Sequence, residues 1–183
     1  AGLGGGSSDA ATVLLGLNEL LGSGLDRSAL MALGARLGAD VPFFVFGQTA
    51  WATGIGERLE AVTGLPPAWY VLVNPGIAVS TAWVYQNLEL TSPRRTDRLP
   101  KFPVTARGLA GLFHNDLEQV TIARHPVIAE IKQRLVAAGA FGALMSGSGP
   151  TVFGLFGDES SARDACSTLA AEPHWRCLVA SPV

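Results

Sequence analysis

The chain begins Ala1-Gly-Leu-Gly-Gly-Gly-Ser-Ser-Asp-Ala-Ala-Thr12, a glycine and serine cluster that runs directly into an apolar segment. Glycine has no Cβ, so the backbone can take positive φ and bring its N–H groups close to an anion at Gly2, Gly4, Gly5 and Gly6. The next apolar side chains are spaced by three and four, which predicts an amphipathic helix: Val13, Leu14, Leu17, Leu20 and Leu21. The positive end of that helix dipole would face the loop. The stretch therefore predicts a loop that binds the phosphates of a nucleotide.

The loop has alternative interpretations. A glycine cluster at a chain end also occurs as a flexible tail or an expression scar, and the cluster alone leaves this open. A P-loop is excluded because it needs Gly-Lys-Ser/Thr, whereas the lysines here are Lys101 and Lys132. A dinucleotide fingerprint is excluded because it needs a preceding strand and a third glycine at the position of Ser7. A third kind of nucleotide loop remains.

Two later stretches add candidate chemistry. Leu37-Gly-Ala-Asp-Val-Pro-Phe-Phe44 places Asp40 among small and apolar neighbours, where partial desolvation would suit a proton acceptor. A helix cap explains Asp40 equally well, and both roles can coexist. Leu144-Met-Ser-Gly-Ser-Gly-Pro-Thr-Val-Phe153 contains a tight glycine-rich connection, for which a structural hairpin is a sufficient explanation.

These three motifs, in this order, resemble the ATP loop, the catalytic aspartate segment and the C-terminal glycine motif of the GHMP kinase family. The resemblance covers essentially the whole chain but lacks the family's N-terminal portion, which carries a lysine-bearing first motif. It implies an α+β protein in which residues 1–64 are the C-terminal part of the ATP-binding, ribosomal S5 domain 2-like domain. Residues 65–183 would be the family's C-terminal domain.

The resemblance also implies an activity, the ATP- and Mg²⁺-dependent phosphorylation of a small polyol. Asp40 would accept the proton of the hydroxyl group, and Ser7 or Ser8 would reach Mg²⁺. The nucleotide would be bound by Gly2, Leu3, Gly4, Gly5, Gly6, Ser7 and Ser8. Weaker cleft or substrate positions are Thr81, Gly147, Ser148 and Gly149. Asp9 is expected to cap the first helix or favour its dipole, with metal ligation as the alternative.

Composition limits the class of protein. The chain has 183 residues, is 48% hydrophobic and carries a net charge of −2, which predicts a globular protein of one or two domains. It has no basic stripe of the kind that binds DNA or RNA, so the expected partner is a small molecule and not nucleic acid. No apolar run approaches the length of a membrane span, and we expect a soluble, cytoplasmic protein. Cys166 and Cys177 are expected to be buried free thiols.

The element pattern predicts two domains joined at Gly64-Leu-Pro-Pro67. Before this boundary we expect a helix capped by Asp26, a short helix capped by Asp40, with a strand as the open alternative, and a hairpin of Thr49–Thr53 with Glu57–Val62. Residues 91–103 are expected to form an exposed, mobile loop. Further helices are predicted over Thr81–Leu88, Ala106–Phe113, Asp116–Ala123, Pro126–Ala138 and Ser160–Ala171. Strands are predicted over Trp69–Val73, Phe141–Met145, Thr151–Phe156 and Arg176–Ala180. This order predicts a ferredoxin-like split βαβ domain.

Two rival functions remain at this point. One is a GHMP kinase that acts on another small molecule, and the other is a non-catalytic nucleotide-binding module. Asp40 argues against a pure binding module, whereas the absence of the N-terminal lysine argues for it. We also expect the 183-residue chain alone to show little or no phosphoryl transfer. It should self-associate through uncovered apolar helix positions such as Leu14, Leu17 and Leu21.

Overall fold

The computed structural model of the chain describes residues 2–89 and 103–182. The loop predicted over residues 91–103 lies, apart from Pro103, outside the described residues. The chain forms two compact units. The helical unit is Gly4–Gly64, and the sheet unit consists of Gly2, Leu3 and Leu65–Pro182.

The helical unit contains three helices followed by a hairpin. The helices are α1 (Gly5–Leu20), α2 (Arg27–Ala35) and α3 (Val41–Phe46), and the antiparallel strands are β1 (Ala50–Thr53) and β2 (Arg58–Ala61). Asp26 caps α2 as predicted, because its carboxylate accepts a hydrogen bond of 2.8 Å from the N–H of Ala29. A small core joins the three helices through Ala11, Leu30, Val41 and Val45.

The apolar positions of α1 do not all face this core. Leu14 packs against it beside Ala10 and Ala11, whose small side chains allow the close approach of α1 to α3. The other four positions form an exposed stripe, the α1 stripe, in which each side chain is between 48% and 84% exposed: Val13, Leu17, Leu20 and Leu21. The expectation that Leu14 is uncovered is therefore wrong, whereas Leu17 and Leu21 are exposed as expected. Spacing by three and four marks a shared face but not what covers it.

The sheet unit is built around four antiparallel strands within the described residues. These are β3 (Trp69–Asn74), β4 (Gly142–Met145), β5 (Val152–Phe156) and β6 (Arg176–Ala180), in the order β4-β5-β3-β6. The helices are α4 (Thr81–Gln86), α5 (Ala106–Ala110), α6 (Leu117–Arg124), α7 (Val127–Ala137) and α8 (Glu159–Leu169). This order of strands and helices confirms the ferredoxin-like split βαβ arrangement. Helix α5 is shorter than predicted, and Ser80 rather than Thr81 caps α4 through the N–H of Trp83.

Both faces of the sheet carry apolar clusters. The main core lies under α7 and α8 and includes Val71, Val73, Ile128, Ile131, Leu135, Phe156 and Leu169. The other face has a smaller cluster around Leu109 and Leu155. There the rings of Phe113 and Phe153 meet edge to face, with centroids 5.1 Å apart. The alternation of side chains along β5 explains why Leu155 and Phe156 belong to different clusters.

The two cysteines are free and partly buried. Cys166 on α8 and Cys177 on β6 both pack against the main core. Burial raises the pKa of the Cys177 thiol to about 11, and it also raises the pKa of Cys166. Both side chains therefore stay protonated near neutral pH, as expected of structural thiols.

The described residues contain neither a membrane-spanning helix nor a metal-binding cluster. None of the helices in residues 2–89 and 103–182 has the length and apolar character needed to cross a membrane. The same ranges contain no cluster of three or more His, Cys, Asp or Glu side chains suited to holding a metal ion.

The packing of α7 against the main core predicts that substitutions at neighbouring positions of this helix differ in their effect on stability. Leu135 has 0% exposure and Val136 has 52%. Leu135→Ala should lower the free energy of unfolding of the sheet unit by about 2–5 kcal/mol, because it removes buried methyl groups and leaves a cavity. Val136→Ala should change it by less than about 0.5 kcal/mol. Urea denaturation followed by tryptophan fluorescence would measure both, and equal losses would contradict the described packing of α7.

Candidate functional site

The start of α1 presents unpaired backbone donors. Gly4 is the N-cap, in the left-handed region with φ +63° and ψ +24°. The first bond of the helical ladder runs from the N–H of Ser8 to the carbonyl of Gly4, at 2.9 Å. The N–H groups of Gly5, Gly6 and Ser7 therefore precede the ladder, and the glycine cap has no side chain to accept from them. Three donors and the positive end of the helix dipole thus meet at one place, which suits an anion.

The glycines of this loop are needed for different reasons. A Cβ on Gly4 would lie 2.8 Å from Cε2 of Phe44, so its space as well as its φ requires glycine. Gly5 and Gly6 lie within α1 and have ordinary helical backbones, so the predicted positive φ applies to Gly2 and Gly4 only. A Cβ on Gly5 or Gly6 would meet no described atom within 4 Å. That open space is where the phosphates of a nucleotide would lie.

Ser7, Ser8 and Asp9 follow Gly6 on α1 and differ in their burial and in their distance from the start of the helix. Ser7 and Ser8 are half-buried in the first turn of α1. The Oγ atom of Ser7 is 3.9 Å from the position that a Cβ on Gly38 would take, so this turn lies beside the segment that leads to Asp40. Asp9 is exposed and lies beyond the first turn, where the described helix has no acidic residue. The prediction that Asp9 caps the helix is wrong, because Gly4 occupies the cap position.

Asp40 directly precedes α3 but does not cap it with its side chain. Within residues 2–89, its carboxylate makes no capping hydrogen bond. Its backbone is already helical, with φ −88° and ψ −10°, whereas a capping residue has extended backbone. Pro42 also removes one of the N–H groups that a cap would bind. The side chain is exposed, so the expected partial desolvation by neighbouring residues is wrong for this chain.

The sheet unit holds the other candidate residues in one cluster. The connection between β4 and β5, Ser146–Pro150, is called here the glycine connection. The hydroxyl groups of Thr81 and Ser148 are hydrogen-bonded at 2.8 Å, and Ser148 is buried. Gly147 and Gly149 both have positive φ, +56° and +86°. The structure therefore brings Thr81 to the glycine connection.

Gly2 lies against the same connection. The hydroxyl of Ser146 donates a hydrogen bond of 2.6 Å to the carbonyl of Gly2. A Cβ on Gly2, whose φ is +83°, would lie 2.7 Å from the carbonyl oxygen of Ser146 and 3.2 Å from that of Gly149. Only glycine fits this contact. The first residue of the predicted nucleotide loop is thus held by the second glycine motif.

Leu3 is exposed and lines a cavity of about 860 Å³ in the sheet unit. Asn74, Thr151, Trp175 and Arg176 contribute to the same cavity. The side-chain amide of Asn74 donates to the hydroxyl of Thr151 at 2.9 Å, next to the glycine connection. Leu3 therefore contributes an apolar wall rather than a donor.

Sequence reasoning missed the side chains that hold the glycine connection in place. Asn115, Glu118 and Thr121 bond to backbone groups of Met145, Gly147 and Ser148. These partners are 27 to 32 positions away in the sequence, so no local pattern joins them. The one available signal was a run of polar residues at the predicted start of α6.

The residues present fit a nucleotide with its metal ion. The open donors at Gly5, Gly6 and Ser7 suit phosphate oxygens. The hydroxyl groups of Ser7 and Ser8 are hard oxygen ligands of the kind that Mg²⁺ accepts, and this ion commonly takes its other ligands from phosphate and water. These groups are of the kinds that bind a polyphosphate and its metal ion.

Comparisons with known proteins agree with this geometry. Residues 1–48 match the GHMP kinases N terminal domain, and residues 103–174 match the GHMP kinases C terminal domain. The chain is 61% identical to the 4-diphosphocytidyl-2-C-methyl-D-erythritol kinase of Syntrophotalea carbinolica, over 100% of this chain and 65% of that protein. It is 62% identical to the kinase of the same name from Geobacter metallireducens, over 96% of this chain and 62% of that protein.

A solved structure extends the comparison to the fold. The crystal structure of a 4-(cytidine 5'-diphospho)-2C-methyl-D-erythritol kinase matches with a TM-score of 0.78 and 41% identity, over 100% of this chain and 67% of that one. The chain thus spans 62% to 65% of the length of the two curated relatives. On these matches and on the three glycine and aspartate motifs, the chain belongs to the GHMP kinase family.

Proposed function

We propose that this chain serves in the ATP-dependent phosphorylation of a hydroxyl group of 4-diphosphocytidyl-2-C-methyl-D-erythritol, a step of non-mevalonate isoprenoid biosynthesis. The observation that carries the proposal is the start of α1, where Gly4 is left-handed, three N–H groups precede the helical ladder, and the Cβ positions of Gly5 and Gly6 are open. The identity of 61% to a relative of that name supports the choice of acceptor. Because the donor is ATP, we expect the reaction to take place in the cytoplasm.

The donor half of the reaction is assigned to the loop Gly2–Ser8. Phosphoryl transfer needs the charge on the transferred group to be neutralised and the two reacting oxygens to be in line. The N–H groups of Gly5, Gly6 and Ser7 would bind the β- and γ-phosphates, and the fixed helix dipole adds to the attraction. Mg²⁺, when bound beside Ser7 or Ser8, would neutralise further phosphate charge. The loop thus orients the γ-phosphate without any lysine in this chain.

The acceptor half is assigned to Asp40. Its carboxylate would take the proton of the attacking hydroxyl. The approach of Ser7 to Gly38, two residues before Asp40, supports a position near the first turn of α1. No capping bond occupies the carboxylate within residues 2–89, so it is available for this role. Thr81, Gly147, Ser148 and Gly149 are proposed to form part of the cleft.

The two units are proposed to correspond to the two family domains. Residues 1–64, which contain the helical unit Gly4–Gly64, would be the C-terminal part of the ATP-binding, ribosomal S5 domain 2-like domain. Residues 65–183 would be the GHMP kinase C-terminal domain. The family matches over residues 1–48 and 103–174 support this division.

The first prediction tests Asp40. In the full-length protein, Asp40→Asn should lower kcat by about 10² to 10⁴, because the amide cannot accept the proton, while ATP affinity stays within a few-fold. Asp26→Asn is the matched control, since asparagine caps α2 as well as aspartate does. Steady-state kinetics with ATP and the diphosphocytidyl alcohol would measure both. A kcat for Asp40→Asn close to that of Asp26→Asn would remove Asp40 from the mechanism.

The second prediction tests the open space at the start of α1. Gly5→Val should leave the melting temperature close to that of the wild type, because no described atom lies within 4 Å of its Cβ position. It should weaken nucleotide affinity by at least about tenfold, because its methyl groups fill the space of the phosphates. Gly16→Val is the control on the same helix, where the Cβ position is also open. Calorimetric titration with an ATP analogue would compare them, and unchanged affinity for Gly5→Val would favour the flexible-tail interpretation.

The third prediction concerns the α1 stripe. We propose that the 183-residue polypeptide by itself self-associates through these four exposed side chains, because contiguous exposed apolar surface favours association. Since it spans 62% to 65% of the length of its relatives, we also propose that it shows little phosphoryl transfer when assayed alone.

The combined variant Leu17→Lys with Leu21→Lys should shift the polypeptide to monomers in sedimentation velocity at several concentrations. Val136→Lys introduces a charge at an exposed apolar position of the sheet unit and should leave the association unchanged. Monomeric wild-type polypeptide at all concentrations would refute the association, and a rate of phosphorylation equal to that of the full-length protein would refute the inactivity.

A further inference from the structure

The glycine connection is held mainly by side chains from the start of α6. Its own backbone closes only a few bonds, among them the N–H of Gly149 to the carbonyl of Ser146 at 3.0 Å and the N–H of Ser146 to the carbonyl of Thr151 at 2.8 Å. Its remaining carbonyl groups need partners elsewhere, because buried polar groups are costly to leave unpaired. Those partners determine where the connection lies.

Asn115 is the central partner. Its amide nitrogen donates to the carbonyl of Met145 and to the carbonyl of Gly147, each at 2.8 Å. Its amide oxygen accepts from the N–H of Leu117 at 3.0 Å, which fixes the orientation of the amide. Both donors of one side chain therefore bridge the last residue of β4 and the first glycine of the connection. Ser146 lies between the two bonded carbonyls.

Two further side chains complete the support. The hydroxyl of Thr121, which is fully buried, shares its proton between the carbonyl of Ser148 at 3.2 Å and that of Leu117 at 3.3 Å. The carboxylate of Glu118 accepts from the N–H of Met145 at 2.9 Å and pairs with Lys132. Met145 is thus bound through both its N–H and its carbonyl. This geometry leaves the connection little freedom to shift.

The same connection bears on the nucleotide loop through Gly2. The hydroxyl of Ser146 donates to the carbonyl of Gly2, and Gly2 approaches the carbonyl groups of Ser146 and Gly149 too closely for any Cβ. A movement of the connection by a fraction of an ångström would therefore move Gly2 or break its hydrogen bond. The described hydrogen bonds of Asn115 reach the nucleotide loop only indirectly, through the glycine connection, whose Ser146, Gly147 and Gly149 lie against Gly2.

We propose that Asn115 is a positioning residue of the kinase, which holds the glycine connection in the place where it fixes the first residues of the nucleotide loop. The inference rests on the proposed function of the loop Gly2–Ser8. It assigns to Asn115 an effect on the binding of ATP that a residue with a purely structural role would not have.

The test is Asn115→Asp in the full-length protein. The substitution keeps the size of the side chain and its acceptor for Leu117, but it removes both donors and sets a negative charge against two carbonyl oxygens. KM for ATP should rise by about 10- to 100-fold, since small misplacements of binding groups have effects of that size. KM for the diphosphocytidyl alcohol should change by much less. Titration with a non-hydrolysable ATP analogue should show the same loss.

Asn18→Asp is the matched control. Asn18 makes the same kind of bonds near the end of α1, donating to the carbonyl of Leu25 and accepting from its N–H, each at 3.0 Å. At 1.5 Å per residue, it lies about 20 Å along α1 from Gly4. Its substitution should lower the melting temperature without changing KM for ATP. Thr121→Val removes the bond to Ser148 and should also raise KM for ATP. It provides the test of the proposal if Asn115→Asp does not fold.

The outcomes separate the two proposals. A wild-type protein that neither binds nor uses ATP would overturn the proposed function together with this inference. The role of Asn115 alone would be overturned if the wild-type protein is active and both variants keep its KM for ATP. Asn115→Asp and Asn18→Asp would then differ from the wild type only in stability, and to the same extent. Unchanged KM for ATP in a folded Thr121→Val protein, where Asn115→Asp is unfolded, would overturn it as well.

Discussion

One hydrogen bond, from the hydroxyl of Ser146 to the carbonyl of Gly2, joins residues that are 144 positions apart in the sequence. It ties the first described residue of the chain to the connection between two neighbouring strands of the sheet. A sheet edge of this kind is rigid because its strands are paired and its face is packed. The flexible end of a glycine-rich loop thereby gains a fixed point on a rigid element. A loop that binds phosphates needs such a point, because disorder in the free loop would have to be removed on binding.

Glycine is required in the two motifs either for a positive φ or because a Cβ would have no room, and some of the glycines meet neither requirement. Gly2 and Gly4 need both a positive φ and the space that a Cβ would fill. Gly149 has a φ of +86°, and a Cβ there would lie 2.7 Å from the sulfur of Met145. Gly5 and Gly6 meet neither demand, since their backbones are helical and their surroundings are open. Neither backbone strain nor crowding explains their lack of side chains, which is why the proposed binding of a ligand rests on these two positions more than on the strained ones.

The sequence predicted the structure correctly where the signal lies within a short stretch of residues. The cap at Asp26 and the strand and helix order of the sheet unit follow from short patterns and are confirmed, whereas α1 begins at Gly5, inside the stretch that was expected to be a loop. The apolar spacing of α1 failed to predict burial, because Ala10, Ala11 and Leu14 face the small core whereas Leu17, Leu20 and Leu21 are exposed. Asn115 could not be found at all, since its two acceptors lie 30 and 32 positions later and only the fold brings them near. Local patterns predict elements, whereas the support of a site depends on contacts across the fold.

Asp40 shows how the proposed mechanism depends on more than the placement of a carboxylate. The residue was expected to be partly desolvated by its apolar neighbours, yet Val41 and Pro42 turn inward into the core and leave Asp40 exposed. An exposed carboxylate is hydrated, and that water must leave before the acceptor hydroxyl can come within hydrogen-bond distance. Within residues 2–89, the short helix α3 fixes the position of Asp40 but does not shield it. In the proposed mechanism, a bound acceptor would displace this water as it approaches the carboxylate, so that binding and the preparation of the proton acceptor would be one event.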